Sequence, residues 1–241
     1  QNTMNDLKGK VALITGGPKG IGFGIAEILL KAGMRIVITG RDKDQTYKAA
    51  YELTHDGGKV LPLAADVRDY AAMESVVKET IKTYGQPDVL IANAGVGHFA
   101  PISELTIDQW KETIGVNLTG VFHSVKASLA PIKKAKGYII TISSLAGTNF
   151  FAKGTAYNAS KFGLTGFTQA LMLDVRNDDV KVTTIMPGSV SSHFGGRAPE
   201  DGKDWRIQPE DLGQMVLDLL HMNPRTLPSK IEVRPSKTSG S

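Results

Sequence analysis

A tyrosine and a lysine four residues apart, in Tyr157-Asn158-Ala159-Ser160-Lys161, are the pair in this sequence best suited to moving a proton. On a helix, positions i and i+4 share a face, so the phenol and the ammonium can address a single point. An unperturbed tyrosine titrates near 10 and exchanges its proton poorly at neutral pH. A lysine charge close by, together with a positively charged group such as an oxidised nicotinamide, favours the phenolate, lowers that value and makes Tyr157 a workable general acid/base. Taken alone such a pair is common and most often structural. Upstream, Ile142-Ser143-Ser144 closes an apolar run. A hydroxyl at a strand end can donate to an oxygen on which negative charge builds, or simply cap the strand. Asn117, in Gly115-Val116-Asn117-Leu118-Thr119-Gly120, interrupts a long helical pattern. Asparagine competes there for backbone hydrogen bonds, so it is either structural or the mark of a local distortion able to hold a water.

These groups meet only if the surrounding elements bring them together. Apolar runs rich in β-branched residues at 10–15, 35–39, 60–64, 88–92, 138–143, 180–186 and 230–233 predict seven strands. Helical spacing over 20–32, 43–55, 69–84, 106–135, 156–177 and 209–221 predicts the helices between them. Nearly continuous apolar strands alternating with helices indicate a parallel sheet covered on both faces. The predicted fold is therefore an α/β, doubly wound three-layer sandwich with right-handed crossovers. No linker-like break or repeat interrupts it, so one domain over residues 1–241 is expected. The least regular stretch, 188–208, is the expected substrate loop, and Ser239-Gly240-Ser241 a frayed tail.

After the first strand comes Thr15-Gly16-Gly17-Pro18-Lys19-Gly20-Ile21-Gly22, and then a helix. Glycines at 16, 20 and 22 leave room for backbone to approach a pyrophosphate at the positive end of that helix. Glycine-rich turns also occur as plain strand-to-helix connections, but placement between the first strand and a helix favours the dinucleotide reading. The second strand ends Thr39-Gly40-Arg41, without the carboxylate that usually accepts from the ribose 2′-hydroxyl of NAD. Arg41 can pair bidentately with a 2′-phosphate, and Lys19 lies within reach of the same group. The expected cofactor is NADP(H). Asp42 is read as the N-cap of the next helix, the alternative being an approach to the ribose.

The spacing Thr15–Gly22, with Tyr157, Lys161 and a serine 13 residues before Tyr157, resembles the short-chain dehydrogenase/reductase family, notably its single-domain 3-oxoacyl-carrier-protein reductases. The resemblance runs from about residue 8 to 233 with the main motifs in order. It implies a Rossmann-type seven-stranded parallel sheet and hydride transfer between nicotinamide C4 and a carbonyl or secondary alcohol carbon. Tyr157 would be the general acid/base. Ser144, not Ser143, would polarise the substrate oxygen, Lys161 would hold the ribose and tune the tyrosine, and Asn117 would relay protons through water. Asp66 would bond the adenine amino group and Val67 cover the ring, with Asn93, Ala94 and Gly95 beside the adenosine. Pro18, Lys19 and Ile21 would line the phosphate turn. Pro187, Gly188, Val190 and Ser192 would bracket the nicotinamide. Ala92 and Ser192 depart from the residues common in the family, Asn and Thr.

Composition sets the outer limits. The chain has 28 Lys and Arg against 24 Asp and Glu, a scattered excess of +4. Nucleic-acid binding normally needs a concentrated basic patch, so it is not expected. The sequence has no cysteine, which excludes disulfides, thiolate nucleophiles and Cys-ligated metals, and its five histidines have no ligand spacing. No metal is expected. With no apolar stretch near 20 residues and no signal pattern in residues 1–5, a soluble cytoplasmic protein is expected.

The substrate is the least legible part. Residues 97–99, 146–151 and 188–208, with His98, His193, Phe194 and Trp205, should line its pocket. Aromatic walls favour an apolar or flat body. Lys133, Lys134 and Lys136 are candidates to dock an acidic carrier protein, but Asp178-Asp179 stands where a further basic contact would be expected. A small ketone, aldehyde or sugar-like alcohol fits at least as well. The family also implies a homotetramer or homodimer built on helices 106–135 and 156–177. The competing reading outside catalysis is an NADP(H)-binding sensor or scaffold, and the joint presence of Ser144, Tyr157, Lys161 and Asn117 argues against it.

Overall fold

The computed structural model describes residues 6–192 and 205–238. His193, Phe194, much of the expected substrate loop and the C-terminal tail lie outside the described residues.

Seven strands form one parallel sheet: β1 (Val11–Thr15), β2 (Arg35–Gly40), β3 (Val60–Ala64), β4 (Val89–Ala92), β5 (Tyr138–Ile142), β6 (Lys181–Pro187) and β7 (Lys230–Val233). Their order is β3-β2-β1-β4-β5-β6-β7, and every pairing is parallel. This is the expected doubly wound Rossmann-type sheet, with the order reversing at β1. The helices are α1 (Gly20–Lys31), α2 (Lys43–Leu53), α3 (Tyr70–Tyr84), α4 (Ile107–Ile114), α5 (Gly120–Ala135), α6 (Thr155–Val175) and α7 (Pro209–His221).

Alternation along the strands sorts side chains to two faces. Ala12, Ile14, Ile36, Ile38, Ile91 and Ile140 pack beneath α1, α2 and α7. Val11, Leu13, Val37, Leu90, Ile139 and Val182 face α3, α5 and α6. Each fully buried aliphatic side chain of this size contributes about 1.5–3 kcal/mol. Local signals agree with this packing. Asp42 caps α2 by accepting from Gln45 N, as expected of it. Asp69 caps α3 through Ala72 N. Thr106 and Gln109 form a capping box on α4.

The expected helix 106–135 differs in one respect. It divides into α4 and α5 around a π turn, Gly115–Thr119, in which Asn117 is fully buried. All strands end at the same edge of a parallel sheet, and the crevice outside those ends is where this fold binds ligands.

Candidate active site

The end of β1 turns through Gly16 and Gly20, both at positive φ (66° and 58°), a region glycine enters without steric cost. Gly16 N and Gly17 N donate to Thr39 O, which fastens the turn to the end of β2. Thr15 Oγ1 accepts from Asn93 N and Ala94 N, and Asn93 Nδ2 donates to Thr15 O and Gly16 O. The Asn93-Ala94-Gly95 segment thus braces the turn from β4. A side chain at Gly22 would overlap the Gly16 carbonyl oxygen and come within 2.6 Å of Asn93 Nδ2. Gly22→Ala is expected to destabilise the protein by about 1–3 kcal/mol through overpacking, read as a lowered melting temperature.

Helix α1 starts from this turn with no side-chain cap at Lys19 and no carboxylate in its first turn. Its leading N–H groups and positive dipole end suit an anion. Gly20 faces Ser192, whose Cβ lies 3.4 Å from where a Gly20 Cβ would be. Ser191 N donates to Ile207 O, and Val190 forms a bridge with Ile207, tying the segment after β6 to the start of α7. Gly188 N donates to Val233 O. The sequence-predicted residues Gly16, Gly20, Gly22, Asn93 and Ser192 therefore surround one turn. The donor set fits a pyrophosphate.

Beside it, Arg41 Nη1 contacts Glu112 Oε1 at 2.8 Å, and His98 Nε2 contacts Glu112 Oε2 at 2.7 Å. Both partners hold the Glu112 carboxyl below its ordinary value, His98 first and Arg41 second. Asp66 is engaged by Arg68 through Nε and Nη2, and this pairing lowers its carboxyl value. Neither Glu112 nor Arg68 carries a sequence signal of its own. The Val67 side chain is buried against Gly120 of α5, because the missing Cβ leaves a notch that it fills.

At the end of β5, Ser143 and Ser144 point to different fates. Ser143 is a buried strut, bonded to Lys161 O and Thr165 Oγ1. Ser144 hydrogen-bonds the Tyr157 side chain and accepts from Ala146 N at 3.0 Å. Helix α6 carries Tyr157 and Lys161 one turn apart. Lys161 is 4% exposed, its Nζ donates to Ile142 O at 3.1 Å and lies 5.7 Å from the Tyr157 ring centroid. Gly95 opens space beside this ammonium, a Cβ there being 3.7 Å from Nζ. Asn158, buried, fixes the approach to the helix by donating to Ala146 O and Asn149 O. Phe99 meets the Tyr157 ring edge-on at 5.2 Å, with Phe151 6.0 Å further along.

In the protein alone, burial pushes the Tyr157 phenol up to about 12, and the hydrogen bond from Ser144 only partly offsets this. Burial likewise pulls Lys161 down to about 8, so the expected lowering of Tyr157 falls to the cofactor-bound protein, where the nicotinamide's charge adds to that of the lysine. Asn117 is also more occupied than expected. Its Oδ1 accepts from Val96 N, and its Nδ2 donates to Val96 O and Ser160 Oγ.

A family model of the short chain dehydrogenases matches residues 10–202. A Staphylococcus aureus protein named as an uncharacterized oxidoreductase is 32% identical over 234 residues, covering 96% of this chain and all of that protein. Among solved structures, an alcohol dehydrogenase from the archaeon Thermococcus sibiricus, complexed with 5-hydroxy-NADP, superposes with a TM-score of 0.89 at 29% identity over 96% of this chain and 99% of that one. A metagenomic short-chain oxidoreductase in complex with NADP gives 0.84 at 33% identity, over 97% and 100%. A 3-ketoacyl-(acyl-carrier-protein) reductase from Brucella melitensis, complexed with NADH, gives 0.84 at 25%, over 94% and 97%. The chain belongs to the short-chain dehydrogenase/reductase family, a class of oxidoreductases.

Proposed function

We propose that this protein is an NADP(H)-dependent carbonyl reductase or alcohol dehydrogenase acting on a small molecule, with Tyr157 as its general acid/base. The observation that carries the reading is the Tyr157 phenol, bonded to Ser144 and lying one helical turn from buried Lys161. The cofactor supplies or accepts the hydride; the chain's residues orient, exclude water and handle the proton. Ser144 holds the substrate oxygen in register with the phenol. Tyr157, protonated at neutral pH, gives that oxygen its proton in the reducing direction. The ammonium protons of Lys161 beyond the one bonded to Ile142 O suit ribose hydroxyls. Proton supply through Asn117 is assigned to water held by main chain at the π turn, since the side-chain amide is spent on Val96 and Ser160.

For the cofactor, the absence of a carboxylate among residues 39–41, with Arg41 and Lys19 flanking the turn, supports the 2′-phosphorylated form. Two of the neighbours above hold NADP or a derivative of it, and one holds NADH. Arg41→Ala is expected to weaken NADPH binding about tenfold or more, the value of a charge-assisted hydrogen bond, while NADH binding changes little. Equal losses in a fluorescence titration would make Arg41 an ordinary surface cation.

The apolar wall of Phe99 and Phe151 beside Tyr157 supports a substrate with an apolar body. A carrier-protein partner is less favoured. Lys133 is paired with Asp178 at 2.8 Å and Lys136 with Asp179 at 3.0 Å, so that face is largely neutralised. Exposed Phe122 on α5, with Phe162 and Leu173 on α6, supports self-association along these helices. One continuous sheet supports reading the chain as a single domain. The deciding experiment is a panel of ketones, aldehydes and alcohols, with a carrier-protein-linked 3-oxoacyl substrate, run with both nicotinamides. No turnover with any of them would favour a cofactor-binding sensor.

A further inference from the structure

We propose that Glu112 sets how strongly the protein distinguishes a 2′-phosphorylated dinucleotide from its unphosphorylated counterpart, by competing with that phosphate for Arg41. This rests on the cofactor reading above.

The argument begins with position. Arg41 follows the end of β2, and that end is held against the glycine turn. Thr39 O accepts from both Gly16 N and Gly17 N, and a Cβ at Gly40 would lie 2.8 Å from Pro18 Cγ. Glu112 comes from the far side of the crevice, on α4, and closes on Arg41 at 2.8 Å across 71 residues of sequence. The Arg41 side chain is 60% exposed and that of Glu112 only 25%. The guanidinium is therefore the partner with room to move, and the carboxylate is the fixed one. His98 makes it more so, by taking the second oxygen at 2.7 Å.

Two costs then stand against a phosphate at Arg41. The guanidinium must leave, or share, an ion pair already formed. The carboxylate stays, held by His98, and its negative charge repels the incoming dianion. Asp66 also feels the charge of Arg41, but Arg68 hydrogen-bonds both of its oxygens, so Glu112 is the carboxylate in direct contact with the guanidinium. An unphosphorylated dinucleotide incurs neither cost. A glutamine at 112 keeps the length and one acceptor oxygen for Arg41, with its amide NH2 left to donate towards His98, but removes the charge, so both costs fall together.

The test is calorimetric titration of wild type, Glu112→Gln, Arg41→Ala and the double variant. The probes are NADP+, NAD+, and the fragments 2′,5′-ADP and 5′-AMP, which report the adenosine end without turnover. Glu112→Gln should tighten NADP+ and 2′,5′-ADP by about three- to tenfold, the size of one like charge removed near a partly exposed phosphate. NAD+ and 5′-AMP should change by less than about twofold, since no phosphate sits opposite the carboxylate. With Arg41 already replaced, the selective gain should shrink. Weaker NADP+ binding in Glu112→Gln, or equal gains for both nucleotides, would overturn the proposal and make Glu112 a support for Arg41 or a packing residue. Wild-type protein that binds neither nucleotide would overturn the cofactor reading and this inference with it.

Discussion

Replacing Tyr157 with phenylalanine is expected to lower turnover by about a hundredfold to ten-thousandfold, the usual range for a positioned general acid/base. Cofactor affinity should stay within about twofold, since the substitution removes one hydroxyl and no phosphate contact. The ring keeps its edge-on contact with Phe99, so the pocket wall survives. Ser144 loses one partner, but it is only partly buried and keeps Ala146 N. With its phenol pushed up to about 12, Tyr157 carries its proton throughout the neutral range. Steady-state rates and a cofactor fluorescence titration on the same preparation separate the two effects. A phenylalanine variant with wild-type turnover would remove Tyr157 from the chemistry.

Lys161→Met should cost turnover about a hundredfold or more, yet make the protein without cofactor more stable. Lys161 titrates at about 8 when folded, against 10.5 for an ordinary lysine. Between those values the unfolded chain holds a proton that the folded chain has released, so stability rises with pH across that window. Below about pH 8 the folded protein carries the full penalty of a buried charge, about 3 kcal/mol. Methionine removes that penalty and forfeits the hydrogen bond to Ile142 O, worth about 1 kcal/mol. A net gain of about 2 kcal/mol corresponds to roughly 4–8 °C in melting temperature for a chain of this size. Tyr157 acts in the opposite sense at higher pH. Its raised value keeps the folded phenol protonated longer than the unfolded one, so stability falls between about pH 10 and 12. Calorimetry from pH 7 to 10 should show the wild type gaining on the variant as pH rises. A variant that melts no higher than wild type at pH 7 would mean that the ammonium carries no burial penalty.

Most of the fold could be read from periodicity, because a parallel sheet buried on both faces writes itself as apolar runs. Strand limits shifted by a residue or so, as where 35–39 became Arg35–Gly40. The residues brought together at the glycine turn and beside Tyr157 were also legible, since each belongs to a motif with fixed spacing. What escaped was pairing between distant positions. Glu112 and Arg68 look like ordinary surface charges until the chain folds beside Arg41 and Asp66. Thr15 and Asn158 work through backbone groups of other segments, which no residue-type pattern announces. The notch that receives Val67 is likewise hidden from the sequence, being made by a glycine 53 positions away. The effect of burial on Tyr157 and Lys161 is illegible for a related reason. A neighbouring charge can be inferred from spacing, but the depth at which both groups lie cannot.

The five residues of the π turn also act as a phase setter. A π turn fits one residue more into its length than an α-helix would, and each helical residue advances the azimuth by about 100°. The face that α4 offers to the crevice and the face that α5 lays on the sheet are therefore clocked to one another by Gly115–Thr119. Deleting a single residue there would let the helix wind evenly, and nothing in its hydrogen-bond ladder would object. Yet with Val121, Val125 and Ile132 kept against the sheet, Glu112 would swing about a quarter-turn away from Arg41 and His98. In this stretch of chain, length encodes direction.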